Sequence, residues 1–398
     1  PCGRVRMRGG RGGDALSHVW PRGVELGWKL CWDLSWLIVV YGVCMVSKGH
    51  LAPLRAELAE IDRAIVALVG RRNSIAKVIG EEKAMANEEV VVPSVERIVE
   101  QRYVDAGTLA GVSAATAMRL ARAVIDESVE VQGKLPRHAE PRRICIIGGN
   151  GGMGRWLSTF FAARGHQITL VVRDPEHAAY PVVTVAEACK TSDVIIVSTP
   201  VPVAAGVLEE IFAAGTSALV FDILSVKSPV IPVLRRMAIA GMRVSSVHPM
   251  FGPTAPAVAG RNVVVADCGC PSVIEETAAL FSGATILRMP VEDHDPIAAY
   301  VLGLSHAVNL AFSEALVRSG FSADVLNAAA STTFRKQTAV SREVSEENAP
   351  LYYAIQRENP YNDAAVENLA HVVEELRTLD KDTFCQRMQA GAEWYRIE

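Results

Sequence analysis

Three sets of residues in this chain have the types and spacing to do chemistry. The first is Gly149-Asn150-Gly151-Gly152-Met153-Gly154, a G-x-G-x-x-G pattern. An apolar run, Ile144 to Ile147, precedes it, and a helical pattern of Trp156, Phe160, Phe161 and Ala163 follows. Between a strand and a helix such a turn seats a dinucleotide. Its first glycine makes the tight bend, its second admits the pyrophosphate, and its third lets helix and strand pack closely. The second set comprises Asp222-Ile-Leu-Ser225-Val-Lys227, then Ser246-Val-His248-Pro-Met-Phe-Gly-Pro253, then His294-Asp295 with His306 beyond it. The first two read as loops after strands, as does His294-Asp295. A lone histidine is more often structural, but one placed directly after a strand and before Pro249 stands where open α/β sheets do their work. The third set lies on helices. At about 100° per residue Arg72 and Lys83 fall about 20° apart on one face, and Arg55 points about 100° away from Arg72. Ser128 and Gln132 are one turn apart. Two cations on one face are also what a solvated surface shows.

The elements that must position these groups follow from periodicity. From Leu51 to Lys83 the residues Leu54, Leu58, Ile61, Ile65, Leu68, Ile75 and Ile79 recur at helical spacing, with Pro53 suited to a first turn. Further helices are predicted over 93–106 and 113–132, with Ser113 an N-cap. Three helices with one long member enclose little core alone, which favours an intertwined dimer. The polar, proline-bearing segment 135–141 is a linker. After the glycine turn, strands are predicted at 167–172, 193–198, 218–222, 242–247 and 263–266. With helices between them they imply a parallel, doubly wound sheet. From Pro296 onward the pattern is helical, with a break at Asn359-Pro360 and apolar residues suited to a dimerisation domain that also closes the site.

The composition narrows the class. A chain of 398 residues with 50% hydrophobic content supports two or three ordinary cores. A net charge of −4 gives no reason to expect nucleic acid. The eight cysteines show no C-x-x-C pair or zinc-like spacing, so no metal and a reducing, cytoplasmic setting are expected. The apolar stretch Leu37 to Val46 is too short to span a bilayer and carries no clean signal-peptide cleavage pattern, so no membrane association is expected. Residues 1–49 are read as an extension, with a translation start at Met45.

The helical module bears a resemblance. Leu54-Arg55, Ile61-Asp62, Arg71-Arg72, Ile79-Gly80-Glu-Glu-Lys83, Val92-Pro93, Glu96 and Glu127-Ser128-Val-Glu-Val-Gln132 together resemble the all-helical chorismate mutase family. The resemblance implies that Arg72, and Arg55 from a partner subunit, hold the two carboxylates of chorismate. Lys83 and Gln132 then bond the ether oxygen, Glu96 takes the ring hydroxyl, and Ser128 assists at a carboxylate. A Claisen rearrangement suits such a set: it needs a held conformer and a donor on the oxygen that gains charge, but no nucleophile. Val95 stands where many relatives carry an arginine, which weakens carboxylate binding.

From about Arg142 to the C-terminus, the set Ser225-Val-Lys, His248-Pro-Met-Phe-Gly-Pro and His294-Asp…His306 resembles the prephenate dehydrogenase family. Both modules in this order resemble the bifunctional chorismate mutase/prephenate dehydrogenase family of tyrosine biosynthesis. His248 would then bond the ring hydroxyl of prephenate, its imidazole neutral near pH 7. Ser225 would support it, and His306 would line the pocket. Arg342, or alternatively Arg335, would meet a substrate carboxylate. The cofactor is NAD or NADP. Val172 stands where an acid would take the ribose hydroxyl, and Arg173 follows it, a slight lean towards NADP; Asp174 serves the hydroxyl instead if the strand ends later. The expected domains are a mutase-like module (50–134), the linker (135–141), a Rossmann domain (142–295) and a helical dimerisation domain (296–398). The rival reading is a prephenate or arogenate dehydrogenase whose helical module is non-catalytic.

Overall fold

The computed structural model describes residues 35–86, 88, 90–133, 135 and 140–396, with side chains from residue 51 onward. The extension up to residue 34, the side chains around Met45 and most of the 135–141 linker lie outside the described residues. The chain divides into two compact units, one ending at Leu68 and one beginning at Val69. Helix α1 (Ser35–Met85) contributes to both. In the first unit, Leu54, Leu58, Ile61 and Ile65 follow the expected spacing and are exposed. Pro53 does not open the helix as expected but lies inside it, because the helix begins upstream at Ser35. Its missing N–H removes one hydrogen bond from the helix ladder.

The second unit holds the rest of α1, then α2 (Pro93–Leu109) and α3 (Ala114–Gly133). Pro93 takes the first position of α2, where its missing N–H costs nothing. Ser113 caps α3 by accepting from the Thr116 N–H at 3.3 Å. Helix α3 buries Ala117, Ala121, Val124 and Ser128, one stripe of mostly small side chains. Small residues let helices approach: a methyl on Gly107 of α2 would sit 2.8 Å from Ala117 Cβ.

Strands β1 (Arg143–Ile147), β2 (Gln167–Val171), β3 (Val194–Val197), β4 (Leu219–Asp222), β5 (Val244–Pro249), β6 (Asn262–Asp267) and β7 (Thr285–Pro290) form one sheet in the order β2-β1-β3-β4-β5-β6-β7. Alternate strand residues serve opposite faces. Cys145, Ile147, Ile195 and Val197 pack with α5 (Val185–Thr191), α6 (Val201–Ala214) and α7 (Ile231–Ile239), while Ile144, Ile146, Val194 and Ile196 pack with α4 (Gly152–Ala162) and α8 (Ile274–Leu280). Covering both faces is what near-continuous apolar strands require.

Several expectations are corrected here. The sheet is not wholly parallel: β6 runs antiparallel to β5, with His248 opposite Val264, and β7, not foreseen, pairs parallel to β6. The connection between β5 and β6 has no helix to carry the chain back for a parallel pairing. Strand β7 escaped notice because it is mostly exposed and its apolar run is broken by Arg288. His248 lies within β5, not in a loop after it. His294 and Asp295 lie on a helix, α9 (Val291–Ala298), which starts directly after Pro290, so the 295/296 boundary falls inside that helix.

A π-helical turn (Ala299–Leu304) joins α9 to α10 (Ser305–Arg318). Helices α11 (Ala323–Ala328), α12 (Thr332–Glu346), α13 (Ala349–Glu358), α14 (Asn362–Leu376) and α15 (Lys381–Trp394) follow, with the expected break between α13 and α14. Among the described residues, Val291–Arg318 is long and apolar enough to cross a membrane by length and composition. In the fold it packs on α12 and α14 and leaves Tyr300, Val301, Leu310 and Val317 exposed.

The end of α3 meets the β5–β6 connection. A methyl on Gly133 would lie 2.7 Å from Ala259 Cβ and 3.2 Å from Ala257 Cβ, and Ala257, Val258 and Ala259 are buried. The same connection covers the start of α4, where Trp156 Nε1 donates to the Ala255 carbonyl at 2.7 Å.

Candidate functional site

The parallel strands bring the carboxyl ends of β1, β3, β4 and β5 to one edge of the sheet, and with them the glycine turn, Thr199, Ser225 and His248. In the turn, a methyl on Gly154 would lie 2.4 Å from the Gly148 carbonyl oxygen, and one on Gly149 would lie 2.5 Å from a Leu170 methyl. The helix can sit this close to the strand only without those side chains. Gly151 is the N-cap of α4 and offers no side-chain cap, so the first-turn N–H groups keep their capacity for an anion. Thr199 Oγ1 beside the turn is buried and has no hydrogen-bond partner among the described residues. A side-chain-free helix start next to an orphaned hydroxyl fits the phosphates of a dinucleotide. Met153 packs into the α4 face of the core, and Asn150 Nδ2 donates to the Asp174 carbonyl at 2.8 Å, tying the turn to the loop after β2. Strand β2 ends at Val171, earlier than expected, so no acid stands at its end. Arg173 and Asp174 are exposed, and one Asp174 carboxylate oxygen is engaged by His177 Nδ1 at 2.8 Å.

His248 is only 4% exposed, and its Nδ1 lies 2.9 Å from His294 Nε2. His294 Nδ1 in turn lies 2.7 Å from Asp295 Oδ1. The Asp295 carboxylate also accepts from the Lys227 N–H at 2.8 Å, the Ser228 N–H at 2.7 Å and Ser228 Oγ at 2.5 Å. Beside this chain of contacts Lys227 is fully buried, donating from Nζ to Asp222 Oδ1 at 2.6 Å and to the Val247 carbonyl at 2.8 Å. Ser246 Oγ donates to the other Asp222 oxygen at 2.6 Å. Burial holds the His248 imidazole well below the ordinary histidine value, with His294 and Lys227 acting in the same direction. Burial lowers His294 as well, against the pull of Asp295. For Asp295 burial works upward, but the bonds from His294, Ser228 and Lys227 together keep it below the usual carboxylate range. Neutral imidazoles beside an ionised carboxylate result.

A second pocket, of about 590 Å³, opens among α1, α2 and α3. Arg72, Lys83, Glu96, Ser128 and Gln132 all line it. The Arg72 guanidinium donates to the Val124 carbonyl and to Ser128 Oγ, which fixes it against α3. Lys83 Nζ donates to the Val90 carbonyl at 3.0 Å. Gln132 Oε1 is buried with no hydrogen-bond partner among the described residues, so its amide has unused capacity. Gly80 is needed beside it, because a methyl there would lie 2.7 Å from Gln132 Cγ.

Comparison with known proteins agrees with this division. Residues 54–133 match the family model for chorismate mutase type II, 164–265 that for the prephenate dehydrogenase nucleotide-binding domain, and 290–390 that for the prephenate dehydrogenase dimerization domain. The T-protein of Haemophilus influenzae is 25% identical over 87% of this chain and 92% of its own length. The chain belongs to the fused chorismate mutase/prephenate dehydrogenase family. A protein of Methanocaldococcus jannaschii described as a probable arogenate/prephenate dehydrogenase is 24% identical over 64% of this chain, and the match spans 61% of that protein. Among solved structures, prephenate dehydrogenase from A. aeolicus in complex with hydroxyphenyl propionate and NAD+ aligns with a TM-score of 0.52 at 17% identity. It covers 66% of this chain and 100% of that one, a likeness of fold. A nicotinamide cofactor goes with the family. The glycine turn precedes residue 164 and so lies outside the segments matched by the family models, and its G-x-G-x-x-G pattern and geometry identify it.

The other expected site residues make no hydrogen bond with His248 among the described residues. Ser225 is half-buried and forms no hydrogen bond with His248, whose ring partner is His294 instead. The bend after β4 delivers the backbone N–H groups of Lys227 and Ser228 to Asp295. His306 is buried on α10, stacked on Tyr352 at 4.1 Å between ring centroids, with Nδ1 lacking a hydrogen-bond partner among the described residues. Arg335 and Arg342 share one exposed cleft of about 630 Å³ with Phe321 and Phe334, and none of its lining residues belongs to the His248 set. Arg55 is exposed in the unit that ends at Leu68. Sequence reasoning assigned no role to Lys227, Asp222, His294 or Asp295, although it quoted them all. It also missed Arg102, which lines the helical pocket without a hydrogen bond or ion pair among the described residues. Its signal was there: seven residues after Val95, it returns to the same helix face.

Proposed function

We infer that the helical pocket rearranges chorismate to prephenate and that the sheet edge oxidatively decarboxylates prephenate to 4-hydroxyphenylpyruvate. The observation that carries this reading is the convergence of Arg72, Lys83, Glu96, Ser128 and Gln132 from three helices on one pocket, in a chain that also bears a dinucleotide turn and a buried neutral histidine. In the pocket Arg72 and Ser128 hold a carboxylate, and Glu96 takes the ring hydroxyl. Lys83 and the Gln132 amide donate to the ether oxygen as the C–O bond breaks, stabilising charge that exists only at the transition state. The partner subunit's Arg55 completes the site in a homodimer, whose contacts bury the apolar stripe of α1 and the exposed face of α10.

At the sheet edge, His248 Nε2 accepts a hydrogen bond from the ring hydroxyl and draws its proton, raising electron density on the carbinol carbon. A nicotinamide bound at Gly149–Gly154 supplies the hydride acceptor. His306 lines the substrate side, and Arg342 or Arg335 meets a carboxylate of prephenate. Arg173, with no acid at the end of β2, favours the 2′-phosphate of NADP over the hydroxyl of NAD. The free thiols of Cys145, Cys189, Cys268, Cys270 and Cys385 suit a reducing cytoplasm.

Two assays on the full chain test the reading: loss of chorismate absorbance without cofactor, and prephenate-dependent reduction of NAD and NADP measured separately. Turnover in both supports it. No loss of chorismate would reduce the helical module to a binding or dimerisation role, and no reduction of either cofactor would remove the dehydrogenase.

A further inference from the structure

The contact between His248 and His294 has a hidden asymmetry. A neutral imidazole carries one ring proton, and two imidazoles facing Nδ1 to Nε2 can share a hydrogen bond in either direction. With the proton on His248 Nδ1, the outer Nε2 of His248 is a bare acceptor. With the proton on His294 Nε2, the outer Nε2 carries hydrogen and can only donate. Nothing in the pair itself chooses between these states.

We propose that Asp295, acting through His294, fixes His248 in the tautomer whose Nε2 accepts, making both residues positioning residues for the dehydrogenase. The proposal rests on the reading of His248 given above. The choice follows bond by bond. An ionised carboxylate only accepts, so the 2.7 Å contact with Asp295 Oδ1 places the His294 proton on Nδ1. His294 Nε2 is then a lone pair, and the 2.9 Å contact places the His248 proton on Nδ1. His248 Nε2 is left bare. Burial makes the choice binding: His248, His294 and Asp295 are 4%, 3% and 1% exposed, so water does not compensate the wrong arrangement.

Asp295 is held in place independently of the histidines. The Ser228 N–H and Oγ both donate to Oδ2, and the Lys227 N–H donates to both oxygens. The other charges facing this group, Lys227 and Asp222, are bonded to each other. When the substrate hydroxyl releases its proton, the O–H bond breaks and a bond forms at His248 Nε2. The resulting imidazolium keeps its Nδ1–H on His294, and neither His294 nor Asp295 changes protonation.

The decisive variant is Asp295→Asn. The Ser228 N–H and Oγ, with the longer Lys227 contact, hold the amide oxygen at the Oδ2 position, so the amide nitrogen replaces Oδ1, forgoes the 2.8 Å Lys227 bond there and donates to His294 Nδ1. That reverses both rings and leaves hydrogen on His248 Nε2. In the full chain, kcat for prephenate should fall by about 10²–10⁴-fold, the scale of losing a correctly poised base, while KM for the cofactor and the chorismate mutase rate stay within about threefold. Histidine ¹⁵N spectra of the full chain, with the His248 signals assigned from a His248→Asn difference, read the tautomer directly: Nε2 unprotonated in the wild type and protonated in Asp295→Asn. An unchanged kcat in a variant that still binds cofactor would overturn the proposal. So would a wild-type His248 protonated at Nε2, which decides the matter even if the variant misfolds. Absence of prephenate turnover in the wild type would instead strike the functional reading itself, and the spectra would still report the tautomer.

Discussion

The helical pocket and the sheet edge handle charge in opposite ways. In the pocket the working groups come from three helices and most are half-buried; Arg72 leans on one carbonyl and one hydroxyl, and Lys83 on one carbonyl. At the sheet edge the groups are almost wholly buried and interlocked, with Asp295 alone accepting from two backbone N–H groups, a hydroxyl and an imidazole. The chemistry accounts for the difference. A rearrangement within one dianion needs cations placed around it, and an error of a few tenths of an ångström in one of them is shared by the rest. Drawing a proton from a hydroxyl needs one nitrogen in one protonation state, and only a dry, fully bonded surrounding secures that.

The sharpest test of this contrast is His248→Asn. It should lower dehydrogenase turnover by about 10²–10⁴-fold while chorismate mutase activity stays near wild type. Parallel loss of both in a folded protein would mean that the sites are not separate. Lys83→Ala should do the converse, lowering the mutase rate by about 10²–10³-fold, the scale of removing one preorganised donor, and an unchanged rate would deny the pocket a catalytic role. Arg102→Ala should be milder. Among the described residues the charged groups lining the pocket are Arg72, Lys83 and Arg102 against Glu88 and Glu96, so without Arg102 these charges would cancel. We expect KM for chorismate to rise by about tenfold with kcat little changed, the pattern of lost uniform binding. Equal KM values would leave Arg102 a surface residue.

The smallest effect concerns pH. His248, His294 and His306 all have folded values lowered from 6.5, chiefly by burial. The unfolded chain therefore takes up protons below pH 6.5 that the folded chain refuses. The stability these neutral rings contribute is complete above that value and is lost as pH falls through the lowered folded values. Thermal melts should show a falling Tm on acidification from pH 6.5, with little change from pH 7 to 8 on their account. His294→Gln should flatten the acid limb.

Much of this organisation is legible in the sequence where the signal is local. The glycine turn declares itself because its three constraints fall within six residues, and the faces of α1 and α3 do so because helical spacing is regular. What escaped was non-local or irregular. His248 and His294 are 46 positions apart, and Lys227 and Asp295 are 68 apart, so no spacing rule links them. The family resemblance implied Ser225 as the companion of His248, yet the bonds from the bend after β4 to Asp295 include the backbone N–H groups of Lys227 and Ser228. The reversal at β6 was hidden because a short buried apolar run reads the same in either direction.

The contact of Gly133 with Ala257 and Ala259 bears on how such a gene can be divided. The 135–141 segment invites a cut, but the dehydrogenase half so released would carry a wet apolar scar where α3 had rested. Separate expression at this point calls for polar replacements at Ala257 and Ala259. Lengthening the linker would leave the two halves as closely joined as before, because their attachment lies in the packed contact and not in the tether.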